Sequence, residues 1–213
     1  MTIEFNNVLP FPLQEYPHGP ESVWKNTFKI DFPKKVVLNA SSGKGKSTFV
    51  NTIYGIRQDF EGTVKLDNAD ISNFTLDEWI ELRRTKLSII FQDLQLFPEL
   101  TVMQNLQLKN ELTNHREESR LIEMLELLGI GDKQNQLCKN LSLGQQQRVA
   151  IIRSLLQPFE LLLMDEPFSH LDDNNAKIAL DLIAKETELN NGGFILTTLG
   201  GYHGFDYEQE LNL

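Results

Sequence analysis

Residues 40–48 read Ala, Ser, Ser, Gly, Lys, Gly, Lys, Ser, Thr, and they follow a short apolar run, Val36, Val37 and Leu38. Small residues in the loop let several backbone N–H groups turn inward on an anion. The helix expected at about 46–54 adds the positive end of its dipole. Strand, loop and helix in this order describe a nucleotide phosphate site. Ser41, Ser42, Gly43, Lys44, Gly45 and Thr48 line the loop, Lys46 reaches the β- and γ-phosphates, and the Ser47 hydroxyl holds Mg²⁺. Ala40 stands in the first glycine place of the pattern.

Two further groups of residues carry chemistry. Leu161, Leu162, Leu163 and Met164 form an apolar run that ends in Asp165 and Glu166. A buried parallel strand reads this way, and its carboxyl end is where an α/β sheet gathers ligand chemistry. Asp165 suits the Mg²⁺ shell, and Glu166 suits the general base for an attacking water. Ser142 and Gly144 open a second helix, with Ser142 as its N-cap. That helix start is a second anion site in a chain with one phosphate loop. A phosphate held by another copy of the protein explains it most economically.

The elements that must position these residues follow from pattern. Residues 2–5 alternate, 23–32 alternate loosely, and 62–67 read as a strand. Four prolines and one glycine make 9–20 a loop. Helices are expected at 76–84, 101–109, 116–128, 142–156 and 173–188, and strands at 87–91, 161–164 and 193–198. Gly129 and Pro158 close two of the helices. The alternation predicts an α/β fold, a parallel sheet with an antiparallel β subdomain and a helical subdomain; with its phosphate loop, that sheet resembles the RecA-like core of a P-loop NTPase. All 213 residues form one domain, the helical part inserted at about 73–157.

The bulk numbers fit a globular protein: 40% hydrophobic and 23% charged, with formal net charge -10. An acidic surface argues against broad binding to nucleic acid or anionic membrane. Cys138 is the one cysteine, outside any metal-ligand cluster, and suits a reducing compartment. No apolar run is long enough to span a bilayer, and the N-terminus lacks a basic, apolar leader.

Taken in order, these motifs resemble the nucleotide-binding subunit of an ABC (ATP-binding cassette) transporter. Residues 40–47 resemble its Walker A loop, Gln92 its Q-loop glutamine, 141–145 its signature, 161–166 its Walker B strand with the catalytic glutamate, and 169–172 its D-loop. The resemblance implies ATP and Mg²⁺, a homo- or heterodimer that sandwiches two ATP molecules, and an integral membrane transporter partner. It implies a cytoplasmic protein at the inner face of the membrane, with no nucleic acid binding. It adds Gln92 to the catalytic and Mg²⁺ sets, Gln145 to the signature contacts, and residues 91–102 to the surface that meets the partner. It also implies an aromatic platform for adenine, for which Tyr16 is the choice and Phe11 and Trp24 the rivals.

Three departures stand out. Leu143 occupies the signature's usual first glycine, which would shift the helix start. Leu199 occupies the place of the family's switch histidine and has no polar group to offer a γ-phosphate. His203 lies four residues on, and His170 sits in the D-loop; an exposed loop position and local variation are the simpler readings. Little chain follows Leu199, leaving room for one edge strand at 207–213. The expected function is therefore a transport-coupled ATPase. The rivals are a degenerate cassette that binds ATP and hydrolyses it poorly, and a non-transport cassette acting on nucleic acid or ribosomes.

Overall fold

The computed structural model describes residues 1–201 and 203–213. Two sheets organise it. β1 (Thr2–Pro10), β2 (Thr27–Asp31), β4 (Phe60–Leu66) and β5 (Ala69–Asp70) form an antiparallel sheet in the order β2-β1-β4-β5. β3 (Lys35–Asn39), β6 (Leu87–Ile90), β7 (Leu161–Asp165), β8 (Gly193–Thr198) and β9 (Gln209–Asn212) form a parallel sheet in the order β6-β7-β8-β3-β9. The helices are α1 (Lys46–Ile53), α2 (Leu76–Thr85), α3 (Val102–Asn110), α4 (Glu118–Leu127), α5 (Leu143–Ser154) and α6 (Asp173–Leu189).

The parallel sheet is covered on both faces, as its apolar strands require. Its period of two divides the side chains between two cores. Val36 and Leu38 of β3, Leu161 and Leu163 of β7 and Ile195 of β8 enter the core shared with the antiparallel sheet and α1. Val37, Leu162, Met164, Phe194 and Leu196 enter the core built with α3, α4, α5 and α6. Burying each such side chain contributes about 1.5–3 kcal/mol. Glu186 of α6 is fully buried and accepts ion pairs from Arg116 (2.6 Å) and Arg120, which ties the approach to α4 onto α6.

Three helices start on reciprocal capping boxes: Thr75 with Glu78, Thr101 with Gln104, and Ser142 with Gln145. Among the described residues no helix is long and apolar enough to cross a membrane. The edge strand expected at 207–213 is β9, paired parallel to β3.

The structure corrects the sequence at two places. Leu9 and Pro10 belong to β1, opposite Glu61 and Phe60, because a register shift between Asn6 and Leu9, at the left-handed Asn7 (φ 51°), carries the strand past the expected loop start. Proline is tolerated at such a strand end. In 23–32 only Thr27–Asp31 is strand. Val23 and Trp24 are buried outside it, so their apolar character reports core packing and not a sheet face.

Candidate functional site

The phosphate loop begins where β3 ends. Gly45 takes φ 100° at the N-cap of α1, a left-handed conformation that L side chains rarely adopt. A Cβ there would also lie 2.7 Å from the Leu13 side chain. No side chain caps α1, and no acidic residue occupies its first turn. The N–H groups of that turn are thus left to an anion.

Lys46 is buried and its ammonium is held three ways: by the Ala40 carbonyl at 2.9 Å, the Ser41 carbonyl at 3.2 Å and Glu166 Oε1 at 3.2 Å. A buried ammonium needs such partners. Glu166 stands at φ 48°, an uncommon backbone for this residue, at the end of β7. Its N–H donates to Thr197 Oγ1 at 3.1 Å, and the same hydroxyl donates to Asp165 Oδ1 at 3.0 Å. One threonine of β8 therefore holds the Asp165 carboxylate and the backbone of Glu166. Burial raises the Asp165 pKa above the ordinary value, against hydrogen bonds from Ser47 and Thr197 that lower it.

Ser47 Oγ donates to Gln92 Oε1 at 3.4 Å. Ser47, Gln92 and Asp165 line one cleft, and Gly43, Gly45, Lys46, Ser47, Thr48, Gln92 and Glu166 line a cavity of ≈ 230 Å³ beside it. The structure thus joins expected residues from three separate stretches of the sequence: the loop at 42–48, Gln92, and the pair Asp165 and Glu166. The donors around Ser47 are all oxygen, the chemistry that a hard cation such as Mg²⁺ takes. Among the described residues no cluster of three His, Cys, Asp or Glu forms, so phosphate oxygens would have to complete such a shell.

Ser142, Gly144 and Gln145 stand apart from that cavity, at the start of α5. Ser142 Oγ accepts from Gln145 N at 3.3 Å, and the Gln145 side chain accepts from Ser142 N at 2.9 Å. The box keeps the helix start in place, so Leu143 does not shift it; its side chain points to solvent, 55% exposed. A Cβ on Gly144 would meet the His170 carbonyl at 2.7 Å. Gly144 is needed for this close approach of α5 to the turn after Glu166.

Gln147 was missed by the sequence reading, since a glutamine beside two others carries no signal of its own. It is fully buried. Its amide donates to the Glu166 carbonyl (3.4 Å) and Ser169 Oγ (3.2 Å), and its oxygen accepts from His170 N (2.9 Å). Arg153, further along α5, donates to the Leu94 and Gln95 carbonyls, both at 2.6 Å, and so secures two left-handed residues just after Gln92. α5 thereby braces the turns that follow Gln92 and Glu166.

The aromatic candidates separate. Trp24 is fully buried against Phe5 and Phe49, which leaves no ring face for a base. Tyr16 and Phe11 are each 51% exposed, and neither lines the cavity at the loop; Leu13, unforeseen, does. His170 is exposed with Nδ1 3.0 Å from Ser169 Oγ, and Leu199 is 60% exposed. Cys138 is buried, accepts from Asn105 Nδ2 at 3.2 Å, and has its thiol pKa pushed up by burial.

Comparison with known proteins supplies the wider frame. The family model described as ABC transporter matches residues 25–169. The phosphonates import ATP-binding protein PhnC 2 of Oceanobacillus iheyensis is 34% identical over 197 residues, covering 87% of this chain and 75% of the relative. The lipoprotein-releasing system ATP-binding protein LolD of Buchnera aphidicola is 33% identical over 179 residues, covering 82% and 77%. The dimeric structure of MJ0796, a bacterial ABC transporter cassette, superposes with a TM-score of 0.82 at 28% identity, covering 99% of this chain and 94% of the other. A second structure of that cassette, a dimer in a post-hydrolysis state bound to ADP and Pi, gives 0.77 at 28%, covering 92% and 87%.

Proposed function

The chain belongs to the ABC transporter family of ATP-binding subunits, and on that premise we propose how its residues bind and hydrolyse ATP to drive a membrane partner. The observation that carries the reading is the meeting of Lys46, Ser47, Gln92, Asp165 and Glu166 at one cleft, while Ser142 and Gly144 open a helix elsewhere.

The chain is read as one ATP-binding domain, with its helical part inserted at about 73–157. The turn at 41–48 cradles the phosphates. Lys46 turns from the Ala40 and Ser41 carbonyls and Glu166 toward the β- and γ-phosphate oxygens, which frees the Glu166 carboxylate to accept a proton from water. Mg²⁺ would be held by Ser47, Gln92 and Asp165 together with phosphate oxygens, and would neutralise the charge that develops on them. Ser142, Gly144 and Gln145 close on the γ-phosphate held by a second subunit, of this chain or a related one. ATP binding thus joins two subunits and hydrolysis parts them. Tyr16, exposed in the loop upstream, is the residue proposed to stack on adenine.

Motion passes to a membrane transporter subunit through residues 91–102. An apolar groove of ≈ 280 Å³ lies there, between Tyr54, Phe91, Phe97, Leu108 and Leu112. Lys109 at its wall has its pKa lowered to about 8, first by burial and then by Arg153. A cationic, apolar groove in a chain of net charge -10 suits a partner segment that carries a carboxylate. The protein then sits on the cytoplasmic face of a membrane through that partner. A phosphonate importer and a lipoprotein-releasing system both employ relatives of this chain, so the cargo is set by the membrane subunit.

The test is Mg²⁺-dependent ATP turnover by the purified subunit, alone and with its partner. Glu166→Gln should lower it roughly 10²-fold or more while ATP binding persists. No turnover in either setting would end the hydrolase reading. The exposed Leu199, with no polar group, favours a second reading: a cassette that binds ATP and dimerises but turns over slowly. A large gain on Leu199→His supports that second reading.

A further inference from the structure

Glu166 lines a second cavity, of ≈ 180 Å³, whose wall includes Phe168, Ser169, Thr197, Thr198 and His203. Among the described residues around it, Glu166 and His203 are the two with an acid or imidazole side chain. Glu166 reaches the cavity from the end of β7 and His203 from the loop after β8. Thr198 Oγ1 accepts from Gly200 N at 3.3 Å and Gly201 N at 3.0 Å, and donates to the Gly201 carbonyl at 3.2 Å. This hydroxyl-centred turn folds the chain back on itself. His203, half-buried at φ 49°, then lays its ring edge-on to Phe168 at 5.1 Å and 80°. Its Nε2 passes 3.2 Å from where a Cβ on Gly201 would stand, so the absence of a side chain there makes room for the imidazole. Leu199, nearer in sequence to β8, lines the same cavity and brings only apolar atoms to it.

Given the hydrolase reading above, we propose that His203 is a catalytic residue that orients the water activated by Glu166. A carboxylate alone accepts a proton but does not fix where the water's lone pair points. An N–H donor bonded to that oxygen fixes one lone pair and leaves the other for attack. In the step, the water oxygen bonds to the γ-phosphorus and its proton passes to the Glu166 carboxylate. The bond from phosphorus to the β–γ bridging oxygen breaks, and ADP leaves with the electron pair. The His203 N–H keeps its proton throughout.

His203→Phe tests this, because a phenyl ring can keep the edge contact with Phe168 and has no N–H. Steady-state kcat should fall about 10²-fold, with binding of a fluorescent ATP analogue in Mg²⁺ within twofold of wild type. His203→Ala carries the same expectation should the phenylalanine variant fail to fold. Leu199→His placed in either variant should recover turnover, since it returns a donor to the same cavity. A wild-type kcat in His203→Phe or His203→Ala, in a protein whose turnover still depends on Glu166, overturns this inference alone. Turnover that also survives Glu166→Gln overturns the hydrolase reading, and the role of His203 with it.

Discussion

Two helices begin at the ends proposed to bind phosphate, and they begin differently. α1 starts on a left-handed glycine with no side-chain cap, so its first-turn N–H groups are left to the cleft. α5 starts on a complete capping box, with Ser142 and Gln145 satisfying each other. The physical reason lies in their neighbours. α1 follows the loop at the end of a central strand, and that loop shares a cavity with Gln92 and Glu166 of the same chain. On the proposed reading α5 keeps its shape until a phosphate arrives from a second subunit: the box ties down the Ser142 and Gln145 N–H groups and leaves those of Leu143 and Gly144 outside it. On the proposed reading one end receives a ligand and the other is presented to one.

This contrast can be broken from either side. The largest effect is expected at α1. Lys46→Ala removes a charged donor to the phosphates and strands Glu166, and should weaken Mg²⁺-ATP binding by about 1.5–3 kcal/mol, roughly 10–150-fold, in a fluorescent nucleotide titration. An unchanged affinity would mean that the backbone N–H groups alone hold the nucleotide. At α5, Gly144→Ala drives a methyl toward the His170 carbonyl, 2.7 Å from the position of its Cβ. The cost is about 1–3 kcal/mol of stability, read by thermal melting. ATP-driven dimerisation in a Glu166→Gln background should fall while each monomer still binds ATP. A loss of monomer binding instead would show that the two ends are not independent.

Smaller effects sharpen the comparison. Gln147→Leu removes the acceptor of the His170 N–H and the donor to the Glu166 carbonyl and Ser169 Oγ, for about 1 kcal/mol in a denaturant melt, and should loosen the turn after Glu166. Ser142→Ala removes half of the box, for about 1 kcal/mol, and should weaken dimer formation more than ATP binding. The smallest effect concerns pH. Burial raises the Asp165 pKa in the fold, so its stabilising contribution is full below the unfolded value and is lost as pH rises through the folded one. Asp165→Asn should therefore melt slightly above wild type at neutral pH without Mg²⁺. Mg²⁺-dependent ATP binding runs the other way: it needs the ionised form and should fade on acidification earlier than an ordinary carboxylate allows.

Much of this was legible in the residues. The strand, loop and helix order around Lys46, the apolar run ending in Asp165 and Glu166, and the Ser142 cap are all local patterns whose periods and end signals survive folding. The structure bore out the two-sheet architecture that they implied. Where reading failed, the cause was non-local. Leu9 and Pro10 joined β1 because the partner strand β4 offered them a register. Leu143 left α5 unmoved because the cap, not the residue after it, sets the helix start. Trp24 could not serve as a ring platform because Phe5 and Phe49 enclose it.

The sequence by itself determined the chemistry of this protein: a phosphate loop, a paired aspartate and glutamate, and a helix start suited to a further phosphate. Each depends on a few contiguous residues and on rules that act within a turn or a strand. Only the tertiary structure decided what those groups lean on. Thr197 holds the Asp165 carboxylate and the Glu166 backbone, Gln147 ties α5 to the turn after Glu166, and the loop after β8 places His203 in a cavity that Glu166 also lines. These partners lie far apart in the chain or across a reversal of it. Their meeting is set by sheet order and by burial, which no local pattern encodes.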